Sequence, residues 1–385
     1  NQGGTGTNDL SPVVKNASWF TVGTSQAGLS LFQTNVFSAG GIQTWVLTNW
    51  TANIDFRLNN NWTGSGAIGA GNVILKDLFI TGITTNSGYY YQDGANAAGG
   101  HSVLMSNVHF YGSAGAGTMG NSSNCTYSII DSDIVGSNIV AGGFVGMNWG
   151  AATGAGTTFH MTNVNVTMVC SNVPVAVVFP VFGASPTPTF YGSNVNFYIS
   201  STSNGWQNIN CAPFQGANLT IAGTSGANVT NRITAAVNLV NLTVQNGTRV
   251  QTTGQAILCT NLTVNTTAAN YFLTSNSTIT VMDTLTTTTN FFNNGGKTST
   301  LRLGGTWTNN NSAATYPYNL NIIGNSCRYI PTSSLVLYIE NQMVAESPAA
   351  SLTATVSASL LNAGSQLIYF QGYLNNFGFA SAIFR

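Results

Sequence analysis

The chain repeats one short alternation of polar and apolar positions: Asn or Asp, an apolar residue, any residue, and a second apolar residue. It reads Asn53-Ile54-Asp55-Phe56, Asp77-Leu78-Phe79-Ile80 and Asn107-Val108-His109-Phe110. It returns as Asp133-Ile134, Asn163-Val164-Asn165-Val166, Asn194-Val195-Asn196-Phe197, Asn218-Leu219-Thr220-Ile221, Asn241-Leu242-Thr243-Val244 and Asn261-Leu262-Thr263-Val264. Fainter copies fall at Asp283, at Thr300-Leu301-Arg302-Leu303 and at Asn319-Leu320-Asn321-Ile322. From Asn53 to Asn319 the steps are 24, 30, 26, 30, 31, 24, 23, 20, 22, 17 and 19 residues. A strand-like phrase recurring every ~20–30 residues is what a solenoid writes into its sequence. Within each phrase the two apolar residues point one way and the residue between them the other, as in a strand buried on one face.

Gly-rich turns of variable length separate the phrases, for example residues 112–120 and 150–156. No amphipathic helical stretch appears, so α/β repeats are disfavoured, and the longer Leu signature of leucine-rich repeats is missing. Parallel strands ordinarily need long crossovers, but a coil that makes its crossover from further strands needs only ~20 residues. The Asn-apolar-x-apolar phrase resembles the right-handed parallel β-helix, the fold of pectate lyases, phage tailspikes and many surface adhesins. That resemblance implies an all-β solenoid with stacked Asn side chains forming a ladder at one turn. The ladder positions would be Asn53, Asp77, Asn107, Asp133, Asn163, Asn194, Asn218, Asn241, Asn261, Asp283 and Asn319. About twelve coils at ~4.8 Å would make a rod of roughly 55 Å. The likeness is one of fold and specifies no activity.

Three regions are expected: an N-terminal arm and cap over residues 1–45, the β-helix over 46–325, and a C-terminal β segment over 326–385 that caps or assembles. In the last region the ladder phrase stops, and the end is apolar, with Tyr373, Leu374, Phe377, Phe379, Ile383 and Phe384 as assembly candidates. Free solenoid ends expose unpaired backbone and need a cap or a partner.

Composition changes this picture chiefly through what is scarce. Nine basic and nine acidic residues make only 5% of the 385 positions charged, with zero net charge, against about 25% in an ordinary domain. Nucleic acid and anionic lipid are therefore unexpected partners, since both need a Lys/Arg footprint. Asn (48), Thr (50), Ser (35) and Gly (43) take the place of charge, while 43% hydrophobic residues suffice for a large core. Such a surface responds little to salt or pH and suits packing against copies of itself, where charge would be costly to desolvate. No apolar run is long enough to span a membrane. The chain starts at Asn1 without Met, and a removed signal peptide with an extracellular, cell-surface or virion-surface location is expected.

Candidate chemistry is thin. Asp131 and Asp133 stand two apart on one strand and could form an acid–base pair or hold calcium, but Asp77, Asp133 and Asp283 already have a ladder role, so no catalytic residue, metal or cofactor is assigned. His101, His109 and His160 read as surface or turn histidines. The five cysteines lack zinc spacing; Cys259, in the place of Leu75, Met105, Met161 and Leu239 in other coils, reads as a core thiol. The outward position carries Asp55, Phe79, His109, Val135, Asn165, Asn196, Thr220, Thr243 and Thr263 in order, a stripe that could meet glycan, ice or a neighbouring rod. Fourteen Asn-x-Ser/Thr sequons occur, with Asn16, Asn49, Asn61 and Asn121 as possible glycosylation sites; Asn218, Asn241 and Asn261 are expected to be buried and unmodified.

The function expected from sequence is a structural or adhesive extracellular protein that polymerises with copies of itself into a filament, array or virion fibre. A polysaccharide lyase or hydrolase and a passive glycan- or ice-binding β-helix are the alternatives.

Overall fold

A computed structural model describes the strand residues between Gly6 and Asn375 and several of the turns beside them. Every element among these described residues is a β-strand, and the strands pair in parallel. No helix among them is long and apolar enough to cross a membrane. The chain divides into two compact units, residues 1–200 with 210–217, and residues 201–209 with 218–385.

In the first unit, Gly6–Asp9 pairs with Gln43–Asn53, which pairs in turn with Gly71–Ile83. His101–Gly112, Cys125–Ile139 and Thr158–Cys170 follow in the same parallel order. Four inward columns build the core. Val73, Val103, Tyr127 and Phe159 stack in register, with the Tyr127 and Phe159 rings 4.7 Å apart. Leu47, Leu75, Met105, Ile129 and Met161 form the second column. Leu78 and Val108 lie in the third, and Ile80, Phe110, Ile134 and Val166 in the fourth. All of these are buried, and each large apolar side chain removed from water contributes about 1.5–3 kcal/mol.

The second and third columns are three residues apart (Met105 to Val108), which breaks the period-two alternation. Asn107 absorbs the extra residue by taking a left-handed backbone (φ 53°), as do Asn49, Asp77, Asp131, Asn163 and Asn194 (φ 49–54°). A left-handed L-residue costs about 1–2 kcal/mol, and Asn and Asp tolerate it best because their short polar side chains bond locally. In this unit the corner is the physical reason for the short polar residue at this place in each of these six strands.

The register corrects two of the expected ladder positions here. Trp50 pairs with Leu78 and Asn53 with Thr81, so the corner residue in the first phrase is Asn49, and Asn53 lies four residues beyond it. Thr162 pairs with Ile130 and Val164 with Ser132, so the corner residue of that strand is Asp131, not Asp133. The shift arises because Ser132 occupies an inward position that is apolar in neighbouring strands. Its hydroxyl is satisfied there, donating to the Ile130 carbonyl (2.7 Å) and accepting from the Val108 N–H (3.1 Å).

In the second unit, Val237–Gln245, Ile257–Asn265 and Thr278–Thr287 stack in parallel. Thereafter the strand divides at the corner. Thr300–Leu303, Asn319–Ile322 and Gln342–Ala345 continue one half; Thr306–Asn309, Cys327–Pro331 and Leu352–Ala354 continue the other. A second parallel face joins Gly205–Ile209, Val229–Ile233, Thr248–Gln251 and Phe272–Leu273. Cys259 stacks between Leu239 and Val281, fully buried.

Two further ladder positions are corrected in this unit. Asn261 pairs with Thr284 across a register shift, so Met282 and Asp283 together occupy the corner and Asp283 does not continue the column. Asn319 pairs with Thr300, and Thr300 with Thr278, which places Asn319 on the strand half before the corner. Beyond Asp283 the corner is lined by glycine: a Cβ on Gly305 would stand 2.1 Å from the Asp283 carbonyl oxygen, and one on Gly324 would stand 1.9 Å from that of Gly304. Backbones approach there more closely than any side chain permits.

Candidate functional site

The distinctive polar geometry lies at and beside the corner. Asn107 donates its side-chain N–H to the Asp77 carboxylate at 2.9 Å. Asn194 donates to Asn163 at 3.0 Å, and Asn163 to Asp131 at 2.8 Å. In the second unit Asn261 donates to Asn241 (2.8 Å) and Asn241 to Asn218 (2.7 Å). The bonded residues are 30, 31 and 32 apart in sequence in the first unit, and 20 and 23 apart in the second. In the second unit these Asn residues are half-buried rather than buried, and their backbones are not left-handed.

A second row runs two residues beyond the first. Asn196 donates to Asn165 (2.9 Å) and Asn165 to the Asp133 carboxylate (2.8 Å). The other Asp133 oxygen meets His109 Nδ1 at 2.8 Å, while His109 Nε2 lies 3.0 Å from Asn107 Oδ1. The row in register is Thr51, Phe79, His109, Asp133 and Asn165. Thr51 and Asp133 thus stand where Asp55 and Val135 were expected. Phe79 is exposed and packs against both His109 and Tyr111, centroids 6.1 and 5.4 Å apart. Burial, and then the Asp133 charge, push the Tyr111 hydroxyl above its usual range. On the neighbouring stretch His160 stacks flat on Tyr191 at 5.0 Å, both exposed.

Asp131 and Asp133 therefore both have amide partners, and their strand turns the intervening Ser132 inward. No group of three or more His, Cys, Asp or Glu side chains that could hold a metal occurs among the described residues.

In the second unit the outward column is threonine. Thr243, Thr263, Thr286 and Thr308 are in direct register, followed by Ile330. Thr286 and Thr308 were missed from sequence, although Thr284-Leu285-Thr286 and Thr306-Trp307-Thr308 carry the same out-in-out pattern. Inside, Trp307 Nε1 donates to Thr287 (3.2 Å), Thr287 donates to Asn309 (3.0 Å), and Asn309 donates to the Tyr329 hydroxyl (3.0 Å), all buried. Burial also raises the Tyr329 hydroxyl, an effect the Asn309 bond opposes. Arg302 makes a two-pronged ion pair with Glu346, and Asn321 donates to the same carboxylate at 2.7 Å. The side-chain bond from Arg302 holds Glu346 below the usual carboxylate range. Burial pushes the Cys259 thiol up to about 12 and raises Cys327.

Of the assembly candidates, the backbone of Leu374 adds a short parallel strand, pairing with Met343; Tyr373, Phe377, Phe379, Ile383 and Phe384 lie outside the described residues. Asn16, Asn61 and Asn121 also lie outside them. Asn49 is exposed at the corner, its amide 3.5 Å from the Thr48 hydroxyl. Comparisons of the chain with protein-family models, with curated proteins and with solved structures found no match.

Proposed function

We propose that the chain is a right-handed parallel β-helix of about twelve coils that serves as a structural, self-associating protein of an extracellular or cell surface. The observation that carries this reading is the chemistry of the outward columns. Amides and hydroxyls occupy successive rungs, and in the outward amide row each side chain satisfies the next (Asn196 to Asn165 to Asp133). The amide row loses little on leaving water because its polar groups keep their partners, and in the threonine column no charge needs desolvating. Parallel stacking also suits addition of further copies, since a strand edge is a template for another strand.

The test is association of the purified chain, followed by sedimentation velocity. Wild-type protein is expected to form concentration-dependent large species. Thr263→Lys with Thr286→Lys, which places two charges one rung apart, is expected to shift it to small species with an unchanged β-sheet spectrum. Equal sedimentation of both proteins as small species at all concentrations would refute the reading.

A second reading is favoured by one observation, the in-register column of Thr243, Thr263, Thr286 and Thr308. A flat row of hydroxyls repeating at the strand spacing suits a periodic surface such as a polysaccharide or ice. Binding of the wild type to insoluble glycan or to ice, lost in the same double variant, would shift weight to it.

A further inference from the structure

We propose that His109 works as a proton-dependent clasp between the two polar rows, requiring both ring N–H groups and therefore the charged imidazolium. Matching donors to acceptors around the ring leads there. A carboxylate only accepts, so the Asn107 group facing Asp77 is its N–H, and the group left facing His109 Nε2 is the Asn107 carbonyl oxygen. That oxygen needs an N–H at Nε2. Asp133 on the other side of the ring needs an N–H at Nδ1. A neutral imidazole has one N–H, so each tautomer leaves two acceptors face to face.

The rest of the ladder explains why a histidine is useful here. In the uninterrupted part, each Asn oxygen accepts from the next rung, as Asn163 does from Asn194. The rung beyond Asn107 carries Asp131, which has no N–H to give and itself accepts from Asn163. His109 supplies the missing donor to Asn107 and joins it to Asp133, where the second row begins. Flipping Asn107 offers no escape, since its oxygen would then oppose Asp77.

Asp133 on Cys125–Ile139 meets the ring directly. The other ionisable groups among the described residues within three positions of His109 or of its register partners Phe79 and Asp133 are Asp131 on the same strand as Asp133, Asp77 and Lys76 on Gly71–Ile83, and Tyr111 on its own strand. Lys76 lies 4.0 Å from Asp77, so the balance of fixed charge around the ring is negative. The contribution is present where the imidazole is protonated and disappears as pH rises and the proton leaves. Its size is limited by the partial exposure of both partners.

The test is amide hydrogen exchange across His101–Gly112, corrected for the intrinsic pH dependence, alongside ring-nitrogen NMR. In the wild type the protection of this strand is expected to fall roughly twofold to fivefold as the ring loses its proton. In Asp133→Asn, a neutral ring suffices: Nε2–H donates to Asn107 and Nδ1 accepts from the new amide, while the Asn oxygen still accepts from Asn165. That variant is expected to lose the pH dependence and keep its protection at alkaline pH. His109→Gln, which has no proton to lose in this range, is expected to show a flat profile and serves if Asp133→Asn does not fold. Wild-type protection that stays flat while the ring titrates would overturn the proposal, as would the same pH dependence in His109→Gln.

Discussion

Asn163 accepts from Asn194 at 3.0 Å and donates to Asp131 at 2.8 Å, and all three residues hold a left-handed backbone of φ 49–53°. The hydrogen bonds and the backbone conformation support one another: the corner breaks the strand's alternation, and only a short polar side chain both tolerates the corner and links it to the rungs on either side. Asn163→Ala is expected to lose both bonds and keep the strained backbone, costing about 2–3 kcal/mol. Asn163→Gly relieves the strain and is expected to cost about 1–2 kcal/mol. Denaturant unfolding of the two variants measures the difference, and an alanine variant as stable as the glycine variant would contradict it.

The glycine-lined corner of the second unit sets a different requirement. A Cβ at residue 305 would meet the Asp283 carbonyl at 2.1 Å, and backbone, unlike a flexible side-chain end, has little room to give. Gly305→Ala is expected to lower the melting temperature markedly, with a loss above about 2 kcal/mol.

The buried chain Trp307–Thr287–Asn309–Tyr329 has a sharp weak point. Tyr329→Phe keeps the ring and its edge-on contact with Trp307 (5.2 Å, 74°) but leaves the buried Asn309 N–H without the phenolic oxygen. The expected loss is about 1–3 kcal/mol, measured by denaturant unfolding. Tyr329→Phe matching the wild type would mean that Asn309 finds another acceptor.

The Arg302–Glu346 pair gives an acid-side pH dependence. Because the folded-state value of Glu346 is lowered, its contribution is present above the ordinary carboxylate range and is lost as pH falls through that lowered value. The partners are partly exposed, so the effect is modest. Comparing wild type with Glu346→Gln from pH 7 downward should show a stability difference that closes on acidification. A difference that widens instead would be inconsistent with the sign of the shift.

Cys259 is fully buried, with its thiol pushed up to about 12, so almost no thiolate exists at pH 8. It is expected to resist alkylation in the folded protein and to react on unfolding, read by mass spectrometry of its peptide with and without denaturant. Rapid modification without denaturant would mean that this core column opens.

The parallel all-β arrangement was legible because the inward positions are large and apolar in nearly every phrase, so the alternation marks them directly. The ladder register was less legible wherever a polar residue took an inward place. Ser132 sits in the core between Val108 and Val164 with its hydroxyl bonded to local backbone, which made Asp133 rather than Asp131 look like the corner. At Asp283 only the acidic letter of the phrase survives, and from the next rung the corner becomes glycine-lined. At Asn319 the letters survive in full, but an Asn followed by alternating apolar residues serves equally well on the strand half before the corner. The His109–Asp133 contact was invisible because it joins residues 24 apart, and only the register brings them side by side.

The most direct test of self-association is electron microscopy of the purified chain beside light scattering over a wide concentration range. Regular filaments or sheets whose mass grows with concentration are expected of a self-associating β-helix. A monodisperse monomeric rod at every concentration would contradict it and move attention to the threonine column as a surface for a ligand.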